Sequence, residues 1–336
     1  GEKIMYRTAK RLGLAAVVAA TATTGATTAM AGEKVDFILN WIAGGDHAPY
    51  YYGQKMGWYK SAGVDLDIQQ GKGSSLSAQR VGIGKNQIGL ADLPPVFVSI
   101  AKGAKTVAVY NVYANSPYGF YWLKSSGIKT PKDFAGKKIG NPPWDAARKM
   151  WPAFAANVGI GEKSVKWVNI QPNAKLSALK AGSIDVTTSF YNIHHIFQRL
   201  LGDDMGYVSG KAHGVNPYGN SIIVNGDFLR GNKAAVGAFV KVNQRAFKAC
   251  AENAKPCIDA LVGANKGLKA ANEATNWSLV KELMTDATST GVGLGYMDVA
   301  RMNKSYEIFA PFLTKKFDMG KHFSNEFIDT SIKMPK

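Results

Sequence analysis

The sequence predicts an α/β protein made of two doubly wound lobes facing each other across a cleft, and three observations carry that expectation. Short apolar runs of strand length alternate with amphipathic helical stretches through the first two thirds of the chain. Two extended segments, around Asn115-Ser116-Pro117 and Tyr218-Gly219-Asn220, interrupt the alternation and read as crossings from one lobe to the other and back. From Asn232 onward the pattern is helical only, so the first lobe is assembled from both ends of the chain. With 336 residues there is enough chain for two cores.

The opening residues read as a secretory leader over 1–31. Arg7, Lys10 and Arg11 are its basic region, residues 12–20 its apolar region, and Ala29-Met30-Ala31 an A-x-A cleavage site that predicts a mature start at Gly32. The apolar run is too short for a membrane anchor, and no Cys stands at the cleavage site to take a lipid, so a soluble periplasmic protein is expected. The formal charge is +17, and without the leader 37 basic against 23 acidic residues leave +14. The lysines are scattered singly with no basic, aromatic-interleaved run, which argues against a nucleic-acid partner. Cys250 and Cys257, with six residues between them in an exported chain, are expected to form a disulfide between two helix ends.

The first element runs from the strand Phe37-Ile38-Leu39 through Asn40-Trp41-Ile42-Ala43-Gly44-Gly45 into a helix carrying Pro49 in its first turn, with Asp46 or His47 as its N-cap and Gly63 at its end. An amide (Asn40), an aromatic (Trp41), an imidazole (His47) and a helix start thus meet at one strand end, where an α/β sheet binds ligands. The alternative makes Trp41 and Tyr50-Tyr51-Tyr52 core aromatics, a role that a Trp beside Gly-Gly fits poorly. Next come a strand over residues 64–68 and a helix over 76–81 capped by Ser74 or Ser75. Residues 87–92 form a buried strand that ends in Asp92 on the same edge as Trp41 and Ser74. Gly71-Lys72-Gly73 lacks the spacing of a phosphate loop, and Gly291-Val292-Gly293-Leu294-Gly295 follows a helix and is no dinucleotide fingerprint.

After extended runs at 106–112 and 118–123, Thr130-Pro131-Lys132-Asp133-Phe134 gives a capped helical turn. A strand then leads to Asn141-Pro142-Pro143-Trp144 and a helix over 145–158. A strand (165–170), a helix (173–182) and a second strand (184–190) follow, and the last ends at Tyr191-Asn192 before a helix from Ile193. His194 and His195 are adjacent and point about 100° apart on a helix, so no metal site is expected. In the helical tail, Val236, Phe239, Val240, Phe247 and Cys250 share one face, as do Trp277, Val280, Leu283, Met284 and Ala287, and these helices are expected to buttress lobe one.

Asn40-Trp41, His47, Gly57-Trp58-Tyr59 and Ala62-Gly63-Val64, with the Thr130-Pro131-x-Asp133-Phe134-x-Gly136-Lys137 segment and Ala178-Leu179-x-Ala181-Gly182-x-Ile184-Asp185, resemble the NMT1/THI5-like family of periplasmic solute-binding proteins. The resemblance implies a periplasmic-binding-protein fold of the Venus-flytrap, type II kind. Lobe one is then residues 32–116 and 222–336, and lobe two is 117–221. It also implies an extracytoplasmic receptor of an ABC importer, expected to be a monomer that delivers a small-molecule solute to a membrane permease with its ATPase and carries no cofactor. The ligand is expected between Asn40, Trp41, His47, Ser74, Ser75 and Asp92 on lobe one and Asn141, Trp144, Tyr191 and Asn192 on lobe two, with Trp41 and Trp144 or Tyr191 sandwiching a planar ring. A small aromatic or heteroaromatic solute, such as a pyrimidine thiamine precursor or an aromatic carboxylate, is the expected cargo. An alkyl sulfonate or nitrate, and a role as sensor domain, remain alternatives. The family also includes a fungal pyrimidine-synthesising enzyme with a His in this first loop and a cysteine-rich iron motif. The present chain has the His without the cysteine cluster or any nucleophile motif, and no enzyme is expected.

Overall fold

The structure, a computed structural model, describes Glu2 and residues 32–335, so the leader read over 1–31 lies, Glu2 apart, outside the described residues. Two five-stranded sheets organise it. The first contains β1 (Glu33–Ile38), β2 (Val64–Gln69), β3 (Ile88–Asp92), β4 (Thr106–Asn111) and, from after the second crossing, β10 (Asn220–Asn225), in the order β2-β1-β3-β10-β4. The second contains β5 (Tyr118–Leu123), β6 (Lys138–Asn141), β7 (Lys166–Asn169), β8 (Val186–Phe190) and β9 (Met205–Ser209), in the order β7-β6-β8-β5-β9. β1 lies parallel to β2 and β3, as β6 does to β7 and β8, while β10 and β5 run antiparallel to both of their neighbours.

Position in the sheet explains the strand sequences. Edge strand β2 alternates buried Val64 and Leu66 with exposed Asp65 and Asp67, whereas central β3, covered on both faces, is buried throughout. Its Gly89 packs against Val81, Ser77 and Ile38, leaving no room for a Cβ. The two crossings run against each other: the Val112 and Tyr113 amides donate to the Asn220 carbonyl at 2.8 and 3.0 Å, and the Gly219 amide donates to that of Tyr113 at 3.0 Å.

The helices are α1 (Ala48–Lys55), α2 (Trp58–Ser61), α3 (Ser74–Gly82), α4 (Leu93–Ala101), α5 (Ala147–Val158), α6 (Lys175–Lys180), α7 (His194–Leu201), α8 (Gly226–Gly231), α9 (Lys233–Glu252), α10 (Ala254–Ala264), α11 (Ala270–Met284), α12 (Ala287–Gly291) and α13 (Val299–Phe309). Several expectations need correction. The single first helix is two, because Gly57 turns left-handed (φ 68°) between α1 and α2; His47 does hold the N-cap position of α1, as expected, but without a capping bond from its side chain. Helix α3 starts at Ser74 instead of residue 76, and its N-cap is Gly73, at φ 134°, instead of a serine. Strand β9 was not anticipated, since Gly202, Gly206 and Gly210 break its apolar pattern. Ala287 is exposed and opens α12, because the preceding helix ends at Met284.

The tail helices also do more than buttress lobe one. Val236, Phe239 and Trp277 join the core of the first sheet, but Met302 and Phe309 of α13 share a cluster with Phe97 of α4 and with Met150 and Trp151 of α5. Cys250 in the last turn of α9 and Cys257 in the first turn of α10 are disulfide-bonded, and the Trp277 indole donates to the Cys250 carbonyl at 2.9 Å. No described helix is long and apolar enough to cross a membrane.

Candidate functional site

A cavity of about 260 Å³ opens between the strand ends of the two sheets. Lobe one supplies the β1–α1 loop, with Asn40, Trp41 and Asp46, and Ser74 at the start of α3. Asp145, just before α5, Lys175 at the start of α6, and Ser189, Phe190 and Asn192 at the end of β8 face them. Helix α11 closes the third side with Asn272, Glu273 and Asn276.

Of the ten residues singled out from the sequence, Asn40, Trp41, Ser74 and Asn192 line this cavity. His47 lies behind it, fully buried, with Nε2 2.8 Å from the Asn40 side-chain oxygen and Nδ1 accepting the Gly44 amide at 3.2 Å. Burial pushes its pKa down, with the Asp46 carboxylate beside Nδ1 opposing the shift, and with Nδ1 accepting from Gly44, the Nε2 proton is donated to Asn40. The amide NH₂ of Asn40 is thereby left for a ligand. Asp92 lies beneath Ser74, whose hydroxyl donates to Asp92 Oδ2 at 2.8 Å, and Ser75 has a buried hydroxyl without a partner. Asn141 is engaged within lobe two, accepting from Arg148 Nε at 2.7 Å and donating to Thr188 at 3.3 Å. Trp144 stands 41% exposed outside the cavity, and Tyr191 packs against His194 with ring centres 5.2 Å apart. The face of Trp41 is instead met by the Lys175 ammonium, 5.0 Å from the ring centroid.

Sequence reasoning missed most of the charged lining. Asp145 and Lys175 each stand at a strand-end loop entering a helix, the signal that singles out Ser74, but by residue type and spacing they look like ordinary helix residues. Glu273 and Asn276 had no such signal, because only the packing of α11 brings them here. Asp145 and Lys175 form a buried ion pair at 2.9 Å, and Asp145 also accepts from the Tyr118 hydroxyl and the Ala147 amide, each at 3.0 Å. Among the described residues, the remaining two carboxyls, Asp46 and Glu273, have no lysine or arginine nitrogen within 4.0 Å. Burial raises the pKa of Asp46, with His47 opposing the shift, and burial also raises that of Glu273, although the Gly45 amide donates to it at 2.7 Å. Across the lobes, Asn192 Nδ2 donates to Asn276 Oδ1 at 2.9 Å, which leaves the Asn192 oxygen buried and without a partner.

Asp92 makes a pH prediction. Burial, only partly offset by the Ser74 hydroxyl, pushes its pKa from 3.8 up to about 7. Between those values the folded chain keeps a proton that the unfolded chain has lost, so stability falls as pH rises through this window and levels off above it. The fall attributable to this group is at most about 4 kcal/mol. Thermal unfolding between mildly acidic and neutral pH should show that decline in the native chain, and Asp92→Asn should make it shallower while the raised Asp46 and Glu273 carboxyls keep their own share; an equal slope in both would mean that Asp92 is ionised throughout.

Two five-stranded lobes joined by paired crossings, with a polar cavity between their strand ends, define the periplasmic-binding-protein fold. The chain belongs to the NMT1/THI5-like family, whose profile matches residues 45–256. Among solved structures it is similar to a Bordetella bronchiseptica protein (TM-score 0.71, 20% identity, covering 88% of this chain and 95% of that one). It is also similar to the periplasmic aliphatic sulphonate binding protein SsuA of Escherichia coli (TM-score 0.64, 13% identity, 86% and 97%). Curated relatives include a Haemophilus influenzae protein named for thiamine biosynthesis, 24% identical over 58% of this chain, and a Legionella pneumophila 4-amino-5-hydroxymethyl-2-methylpyrimidine phosphate synthase, 28% identical over 51%. The matches span 62% and 54% of those relatives' own lengths.

Proposed function

We propose that this protein is an extracytoplasmic receptor that captures a small, planar, amino-bearing heteroaromatic solute between its lobes and presents it to a membrane permease. The observation that carries the choice of solute is the charge inventory of the cavity: Asp46, Asp145 and Glu273 against Lys175 alone, with Lys175 already paired to Asp145. A sulfonate or nitrate entering that space would meet the buried carboxyl of Asp46, the half-buried carboxyl of Glu273 and no free cation. An aminopyrimidine-type ring instead offers N–H donors to Asp46, Glu273 and the Asn192 oxygen, ring nitrogens to the Asn40 amide, and a flat face to Trp41. The relatives named for thiamine pyrimidine synthesis agree with this chemistry, whereas the sulfonate binders share the fold. Closure around the solute would distinguish loaded from empty receptor.

The test is calorimetric titration and thermal shift with 4-amino-5-hydroxymethyl-2-methylpyrimidine, methanesulfonate and nitrate. The pyrimidine at about 100 times its Kd should add about 2.7 kcal/mol of stability, and Trp41→Ala should weaken its binding about tenfold or more. Tighter binding of either anion would sink the proposal.

The relatives named as synthases keep a second reading in view, in which the same site turns a pyrimidine over. His47 opposes it, since its Nε2 is held by Asn40 and the ring does not reach the cavity. Saturable binding with no product on incubation with iron is the expected result; iron-dependent product would favour the enzyme.

A further inference from the structure

A second cavity, of about 680 Å³, lies at the opposite end of lobe one. The strand ends at Asn40 and Asp92 face the first cavity, whereas this one is built around Thr106, the first residue of β4, the loop before it, α8 and the segment after α13. Its walls carry Lys102, Lys105, Arg230, Lys315, Lys321 and His322, and no carboxylate lines it. Two flanking acids bear on these cations. Asp227 sits 3.5 Å from Lys105 and also pairs with Arg230, and Asp318 lies 4.0 Å from Lys321. Among the described residues, Lys102 and Lys315 have no carboxylate within 4.0 Å.

The framework that holds these side chains is fixed. The residues after α13 lie along the free edge of β4, with the Ala108 amide donating to the His322 carbonyl and the Ser324 amide to that of Ala108, both at 2.9 Å. The His322 ring bonds the Thr106 carbonyl through Nδ1 at 2.9 Å, so its other nitrogen is not engaged there, and the Gly226 amide donates to the Lys105 backbone carbonyl. Thr106 is fully buried, and its hydroxyl has no partner. Ile100, Leu229 and Phe317 provide apolar walls, and like charges gathered against such walls focus a positive potential into the concavity.

We propose that this groove is a binding site for a small polyanion of the diphosphate class, separate from the interlobe cavity and opposite to it in charge. A concave site walled by lysines, with the His322 imidazole among them, suits a compact anion entering it better than a flat anionic surface. Lysines as point charges suit phosphoryl oxygens without demanding one fixed geometry.

The test is titration of the full chain with inorganic pyrophosphate at low and high ionic strength, by calorimetry. We expect saturable one-to-one binding that weakens with salt. Removing Lys315 and Lys321, both exposed and free to be replaced without disturbing the core, as the Lys315→Ala/Lys321→Ala pair should weaken it about tenfold, while Lys315→Arg/Lys321→Arg should keep it. Removing Lys163 and Lys180, exposed on the other sheet's lobe, should leave it unchanged. Failure of pyrophosphate to bind, an equal loss from the remote pair, or retention on phosphatidylserine vesicles without pyrophosphate binding would each overturn the proposal.

Discussion

Gly73→Ala is expected to lower affinity for the interlobe ligand about a hundredfold while leaving both lobes folded. At Gly73 the backbone of lobe one lies directly against the Trp144 carbonyl of lobe two. A Cβ there would lie 2.2 Å from the Trp144 carbonyl oxygen and 2.5 Å from its carbon, and the neighbouring Ser75 amide donates to that same oxygen at 3.2 Å. Backbone cannot yield as the tip of a side chain would, so a methyl group at this position opposes the approach of the lobes directly. Gly73 also sits at φ 134°, where a side chain adds about 1–3 kcal/mol of strain in any arrangement of the lobes. Gly127→Ala separates the two effects, because Gly127 has a positive φ of 81° with nothing within 4 Å of its added Cβ. The control should lose a little stability and no affinity, and Gly73→Ala should lose both. Unchanged affinity in Gly73→Ala, measured by titration calorimetry, would show that capture does not need the lobes to meet at this point.

The contrast between Gly73 and the serines that follow it shows what was legible in the sequence. Strand-then-Gly-then-helix places residues 71–76 at a ligand-facing edge, and the alternation of strand and helix gives each sheet most of its strands. Which atoms do the work depends on backbone geometry that the residue types only permit. Two serines ahead of an apolar run are good caps by composition, yet a glycine at φ 134° takes the cap position and leaves Ser74 to bond Asp92. In the same way, Asn40-Trp41 and His47 mark the loop, but their order along the chain does not reveal that the imidazole turns inward to hold the amide. Helix α11 shows the deeper limit. Its apolar face, Trp277, Val280 and Leu283, is readable from its 3.6-residue period, whereas Glu273 meets Gly45, 228 positions earlier in the chain, and Asn276 meets Asn192, 84 positions earlier, and neither partnership leaves a local mark.

Lys175→Met should be among the most destabilising single changes on lobe two and should also report the sign of the ligand. The lysine side chain is 9% exposed and its partner Asp145 3%, so removing the ammonium leaves a carboxylate buried without its cation, at a cost of about 3–5 kcal/mol. The Tyr118 hydroxyl and Ala147 amide still donate to Asp145, which places the expected loss toward the lower end. Adding Asp145→Asn should restore most of it, because the double variant no longer buries a charge, and a cycle of the two singles and the double, read by denaturant unfolding, isolates the coupling. Additive losses would mean that the pair is solvated and contributes little. The same variants bear on what the cavity holds. With Lys175 gone, its lining keeps Asp46, Asp145 and Glu273 and loses its one cation. An amino-bearing ring should then bind as well as or better than before, once the loss of folded protein is allowed for, whereas a sulfonate or nitrate held by Lys175 would lose its binding altogether. The stability cost and the ligand preference therefore follow from one arrangement: a single lysine committed to one carboxylate, in a cavity lined by two more carboxyls with no lysine or arginine of their own.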